Sequence, residues 1–176
     1  MLRIPFYTLG NWKLEKATLE KLEKQMVNKD YYDSLGNLYT SYEKDFDYPF
    51  GSFYEDRVDE IAMEQAFKNI SKLKLSYWVQ VYGKDAIHGK HTHFIVGKNA
   101  IISWVHFLKV PEKPCFRFTD GAEWFFPYQN EGDFLVFPSY VQHEVISHQE
   151  DGNRIVVAGN IHIAEHSSSG ADLPQN

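Results

Sequence analysis

The feature that most restricts the fold is a change of pattern at Ser76. From there to Ile163 the chain passes through short apolar segments with no helical stretch between them. The predicted strands are Tyr77–Tyr82, Ile87–Phe94, Ala100–Leu108, Cys115–Thr119, Asp133–Phe137, Glu144–His148 and Ile155–Ile163. Gly, Pro, Asn and Asp punctuate them, as at Asn130–Gly132 and Asp151–Asn153, and these residue types favour turns. Short, numerous strands without crossover helices predict a sandwich or barrel. Aromatics make up 16% of the chain, and such side chains suit the half-buried faces of sheets.

Upstream of Ser76 the periodicity is helical. Leu14–Val27 sets Leu14, Leu19, Leu22 and Met26 near one helical face, with Glu and Lys elsewhere. Tyr54–Leu75 repeats the pattern through Val58, Ile61, Ala62, Ala66, Ile70 and Leu73. Between them Lys29–Phe53 is rich in Tyr, Asp and Gly and reads as an irregular loop, with a short strand at Asn37–Thr40. The two helices are expected to cover one face of a sheet. With 176 residues the chain fits one domain. That domain spans residues 1–165, a helical part at 1–75 and a barrel core at 76–165. The polar end, residues 166–176, is expected to be a loose tail.

Charge narrows the partners. The net charge of −6 gives no electrostatic reason to bind nucleic acid, whose affinity rests on Lys and Arg neutralising phosphates. No apolar run approaches the ~20 residues that span a bilayer, and no signal peptide is seen. A single cysteine, Cys115, rules out an internal disulfide and is compatible with a reducing compartment. The expectation is a soluble, cytoplasmic protein without nucleic-acid or membrane partners.

Three segments carry chemistry. In His91-Thr92-His93 the two imidazoles stand two apart, so on a strand they face the same way. Imidazole suits iron, zinc, copper and nickel. The alternative is a pair of surface or hydrogen-bonded histidines. In Glu131–Val145 a Gly-Asp turn leads into the apolar run Phe134–Phe137, Pro138-Ser139 ends it, and His143 begins the next segment. A histidine there faces the mouth of a barrel, unless it only caps a loop. Arg154, eleven residues after His143, opens an apolar strand. Pointing inward it needs an anion, and its planar fork suits a carboxylate. Pointing outward it is a rim residue paired with Asp or Glu.

Together these segments resemble the iron(II)/2-oxoglutarate-dependent oxygenase superfamily. The nearest likeness is to prolyl-hydroxylase-like oxygenases of marine bacteria and their phages. That superfamily carries H-x-D/E, a second histidine about fifty residues on and an arginine about ten further; His91, His143 and Arg154 stand at those places. The relatives' S-G-V-Y-Y-L strand is similar to Ser103–Leu108. Their G-D-L-x-x-F-P-S-x-x-x-H-x-V run matches Gly132–Val145, and their R-x-S-x-x-x-N matches Arg154 and Asn160, with Val156 for the serine. The likeness spans Trp78–Ile163.

The resemblance implies a double-stranded β-helix, a jelly-roll or cupin-like barrel, mainly β with α, with the two N-terminal helices packed on one sheet. It implies Fe(II) on His91, His93 and His143, with 2-oxoglutarate as co-substrate. Arg154 takes the far carboxylate, Tyr82 hydrogen-bonds the co-substrate, and Ser103 and Asn160 line the pocket. Dioxygen is consumed and a peptide or small molecule is hydroxylated; a homodimer is compatible. His93 stands where the superfamily has a carboxylate. Three neutral imidazoles leave more positive charge on iron than two imidazoles and an acid. Glu144 alternates away from His143, so it does not supply the missing carboxylate.

The other histidines are expected to be structural. His106 faces opposite Ser103, and His88 faces away from His91 on a regular strand. His148, His162 and His166 fall on later strands or the tail. Trp104 and Trp124 are expected in the core. Two other readings stay open. One is a cupin-type metal protein or dioxygenase without 2-oxoglutarate, because Gly132–His143 also fits the second cupin motif with Tyr140 for its glycine. The other is a non-catalytic barrel that carries no metal.

Overall fold

The structure is a computed structural model that describes residues 4–57, 73–94 and 100–163. The strands are β1 (Tyr7–Leu9), β2 (Tyr32–Asp33), β3 (Leu38–Thr40), β4 (Leu73–Tyr82), β5 (His88–His91), β6 (Ala100–Lys109), β7 (Phe116–Asp120), β8 (Glu123–Phe125), β9 (Phe134–Pro138), β10 (His143–Val145) and β11 (Arg154–Ile163). The helix α1 spans Lys16–Met26. The protein is mainly β, with two sheets. The larger has the order β1-β9-β6-β11-β4-β3-β2 and the smaller β5-β10-β7-β8. Every pairing is antiparallel.

The centre of the large sheet is β4, β11 and β6, each ten residues long. Alternation along them builds two cores. Val79, Val81, Trp104, Ile155, Val157 and Ile161 face α1, where they meet Leu22 and Met26. Trp78, Tyr82, Val105, Phe107, Val156 and Ala158 face the small sheet, where they meet Phe116, Phe118 and Val145. The helix buries the predicted stripe: Leu22 and Met26 are fully buried, and Leu14 and Leu19 pack at its margin. Gly159 is required where β11 passes Trp104. A Cβ there would collide with the indole and with the Ser76 carbonyl.

Several boundaries differ from the sequence reading. The second predicted helix, Tyr54–Leu75, is helical over residues 53–57, and residues 58–72 lie outside the described residues. Its last three residues belong instead to β4, which continues to Leu73 opposite Ile163. The ladder with β11 holds the backbone extended there, whatever the helical spacing of the apolar residues. Strand β5 stops at His91, so His93 lies beyond it. The edge strands β1, β2 and β8 have two or three residues each, too short to show a period. Trp124 is not in the core. It sits on edge strand β8, more than half exposed, with the Arg117 guanidinium 5.5 Å from its ring centroid. The predicted tail, residues 166–176, and His166 lie outside the described residues.

Candidate metal centre and anion pocket

The two sheets open on one side into a cavity lined from both. Strand β4 contributes Trp78, Gln80 and Tyr82, and β11 contributes Arg154, Val156 and Ala158. These two rows are neighbours in register: Arg154 opposite Tyr82, Val156 opposite Gln80, Ala158 opposite Trp78. The small sheet adds His91, His143 and Val145, and the turn after β5 adds His93. Among the described residues, no Asp or Glu lines this cavity.

His91 and His143 are directly paired across β5 and β10, which sets their rings 4.2 Å apart. The His93 ring stacks on His91 at 5.1 Å and lies 5.0 Å from His143. Its backbone N–H donates to the Ser139 carbonyl at 2.9 Å, which ties the turn to the end of β9. One ring nitrogen from each of the three lies within 4.8 Å of the others.

The hydrogen bonds settle which nitrogen faces the centre. His91 Nδ1 donates to the Gly89 carbonyl at 2.8 Å, and His143 Nδ1 to the Val141 carbonyl at 3.0 Å. His93 Nδ1 donates to Asn160 Oδ1 at 2.6 Å. Carbonyl oxygens only accept, so each Nδ1 carries the proton and each Nε2 keeps a lone pair. Burial pushes all three imidazoles below their ordinary pKa, His93 to about 4. Three neutral imidazoles with converging lone pairs and oriented outer nitrogens fit a transition-metal ion such as Fe(II).

At the other end of the cavity lies Arg154, only 1% exposed. Its guanidinium carbon is 4.7 Å from the Tyr82 ring centroid and 5.7 Å from that of Phe107. Nε and Nη1 are buried without a hydrogen-bond partner. A buried guanidinium with unmet donors is costly unless an anion completes it. Tyr82 Oη donates to Gln80 Oε1 at 2.7 Å. Burial, partly opposed by Arg154, raises the Tyr82 pKa to about 12, so the phenol stays a donor.

The predicted residues therefore fall into two groups. His91, His93, His143, Tyr82 and Arg154 line one cavity. Ser103 and Asn160 lie behind His93 rather than along that lining: Ser103 Oγ donates to Asn160 Oδ1 at 2.8 Å. Sequence reasoning missed Gln80, although its place between Trp78 and Tyr82 on one strand face was readable. It also turned His88 the wrong way. Two steps along β10 (His143 to Val145) oppose three along β5 (His91 to His88), and this bulge rotates His88 onto the site face. Its ring stacks on His91 at 4.1 Å, with Tyr82 Oη and Gln80 Nε2 each 3.4 Å from Nδ1. Burial, then its histidine neighbours, lower its pKa to about 4. Glu144 points away, as expected, and pairs with Arg117 at 2.7 Å.

No protein-family model matches this chain, and no curated protein matches its sequence. Its fold is that of the prolyl hydroxylases and other 2-oxoglutarate–Fe(II) oxygenases. A prolyl-4-hydroxylase of Pseudomonas putida superposes with a TM-score of 0.66 at 13% identity, covering 92% of this chain and 94% of that one. A viral collagen prolyl hydroxylase from Paramecium Bursaria Chlorella virus-1, solved with 2-oxoglutarate, gives 0.59 at 15% identity, covering 91% and 96%. HygX of Streptomyces hygroscopicus, solved with nickel, 2-oxoglutarate and hygromycin B, gives 0.59 at 12% identity, covering 98% and 90%.

Proposed function

We propose that the protein is a non-haem Fe(II)- and 2-oxoglutarate-dependent dioxygenase that hydroxylates a peptide or small-molecule substrate. The observation that carries this reading is Arg154. A buried guanidinium with two unpartnered nitrogens shares one acid-free cavity with three inward imidazoles. A metal-only cupin gives that arginine nothing to bind. A dicarboxylate that reaches from the histidines to Arg154 satisfies both ends.

In this reading His91, His93 and His143 hold the iron through Nε2. Arg154 binds the far carboxylate of the co-substrate through its open Nε and Nη1, and the Tyr82 phenol joins it by turning its proton from Gln80 Oε1 to that carboxylate. When bound, iron supplies the activation of dioxygen that couples oxidation of 2-oxoglutarate, to succinate and carbon dioxide, with hydroxylation of substrate. The chain's own task is to orient and exclude. Val105, Phe116, Val145, Val156 and Ala158 line the cavity between its polar groups and keep bulk water from it.

From β4 to β11 the chain passes between the two sheets at every step except the β7–β8 hairpin, which supports a double-stranded β-helix within one domain spanning residues 1–165. The neighbours support either substrate class: one is a prolyl hydroxylase in complex with a peptide fragment of hypoxia inducible factor, from Trichoplax adhaerens, and HygX holds hygromycin B. Among the described residues no helix is long and apolar enough to cross a membrane. A cytoplasmic setting suits a metal that must stay reduced and a single buried thiol, Cys115. The direct test is turnover. Fe(II)-loaded protein supplied with ascorbate, which takes the place of substrate as reductant, is expected to convert 2-oxoglutarate slowly to succinate in air. Absence of succinate after stoichiometric iron loading would contradict the assignment.

A further inference from the structure

The three imidazoles are not supported alike. His91 and His143 lie on paired strands, and each is fixed locally by a carbonyl two residues earlier in its own chain segment. His93 has left β5 and uses no such local carbonyl. Its Nδ1 reaches across the fold to Asn160, 67 residues away on β11. Asn160 is itself gripped: it is 9% exposed, it lies opposite Ser103 in the β6–β11 register, and its Oδ1 also receives the Ser103 hydroxyl.

We propose that Asn160, locked by Ser103, is the positioning residue that makes His93 a metal ligand. The inference rests on the metal-binding reading above and concerns how its third ligand is made competent. Oδ1 facing His93 keeps the ring proton on Nδ1 and the lone pair on Nε2. An amide turned the other way would offer N–H to Nδ1 and leave the proton on Nε2, where it blocks ligation. The Ser103 hydroxyl donates to the same oxygen and anchors the amide beside the His93 ring. Partners behind ligating histidines fix tautomer and ring angle in this manner. Here the partner is neutral, so His93 and its support add no negative charge. The position that usually brings a carboxylate to the metal instead brings a neutral imidazole aimed by an amide.

The test is anaerobic Co(II) titration of the full-length protein, read by affinity and by ligand-field absorption. Asn160→Leu is expected to weaken Co(II) roughly 10- to 100-fold, the usual effect of losing a partner behind a ligand. Its spectrum should become that of His93→Ala. Asn160→Asp, which keeps an acceptor oxygen, should restore the wild-type coordination spectrum, and Ser103→Ala should fall between. In the zinc-loaded wild type, 15N-edited NMR should show His93 protonated on Nδ1. This readout needs no variant to fold. Wild-type affinity and spectrum in Asn160→Leu, or a zinc-loaded His93 protonated on Nε2, would overturn the inference and leave the metal site standing. A wild-type chain that takes up no Co(II) would overturn both.

Discussion

The two faces of the large sheet bury ionisable groups in opposite ways. On the helix-facing side His106 is fully buried, and both ring nitrogens are used. Nε2 donates to the Trp12 carbonyl at 2.6 Å, so Nδ1 accepts from the Tyr54 hydroxyl at 2.8 Å. On the cavity side, among the described residues, His91, His93 and His143 use only Nδ1, and Arg154 leaves Nε and Nη1 unmet. The chain can satisfy a buried histidine fully when nothing else must bind there. Single unmet atoms such as Trp104 Nε1 and His148 Nδ1 occur elsewhere; what marks a ligand site is that the open nitrogens of three imidazoles and of Arg154 share one cavity, whereas the satisfied histidine marks a structural joint.

Substitutions should separate the faces. The largest effect is expected at His143: His143→Ala should abolish metal uptake, measured by metal analysis after Fe(II) loading, while the fold persists. On the opposite face Trp104→Ala should cost about 3–5 kcal/mol of stability, as for other buried Trp truncations, read by chemical denaturation, with metal stoichiometry unchanged in the folded fraction. Arg154 should show a split. Arg154→Ala should weaken 2-oxoglutarate by about 2–4 kcal/mol, since charge-assisted pairs are worth ~1.5–3 each, and leave metal affinity nearly intact. Arg154→Met should stabilise the ligand-free protein by about 1–2 kcal/mol, because it removes an unpaired buried charge. A ligand-free Arg154→Met protein less stable than wild type would mean that the arginine is structural.

A pH effect separates the faces as well. Burial, opposed in part by the bond to Trp12, holds His106 down at about 4, against about 6.5 in an unfolded chain. Between those values the unfolded state binds more protons, so stability rises with pH. Its contribution is present above about pH 6.5 and is lost as pH falls towards 4. His106→Gln should flatten that slope in denaturation series across this window. An unchanged slope would assign it to the cavity histidines alone.

Much of this was legible in the sequence. Period-two alternation set His106 opposite Ser103, because alternation in a paired strand follows from backbone geometry alone, whereas Tyr82, Asn160 and the carboxylate role of Arg154 came from the family resemblance. The apolar run before His143 and the spacing to Arg154 brought both to the same cavity. What escaped depended on partners far along the chain. The β5 bulge that turns His88 inward is set by pairing with β10, and the support of His93 by Asn160 joins residues 67 apart. Leu73–Leu75 carried a helical period, yet pairing with β11 drew them into β4. Trp124 looked like core, but among the described residues it stands on the edge strand of the small sheet, more than half exposed.

The central claim is that the imidazoles and Arg154 together hold iron and a dicarboxylate. Anaerobic titration of 2-oxoglutarate into Fe(II)-loaded protein, followed by visible charge-transfer absorbance, tests it most directly. The account predicts a band that saturates at one 2-oxoglutarate per chain and, in Arg154→Ala, the same band only at far higher concentration. No band in iron-loaded wild type, or an unchanged midpoint in the variant, would contradict it.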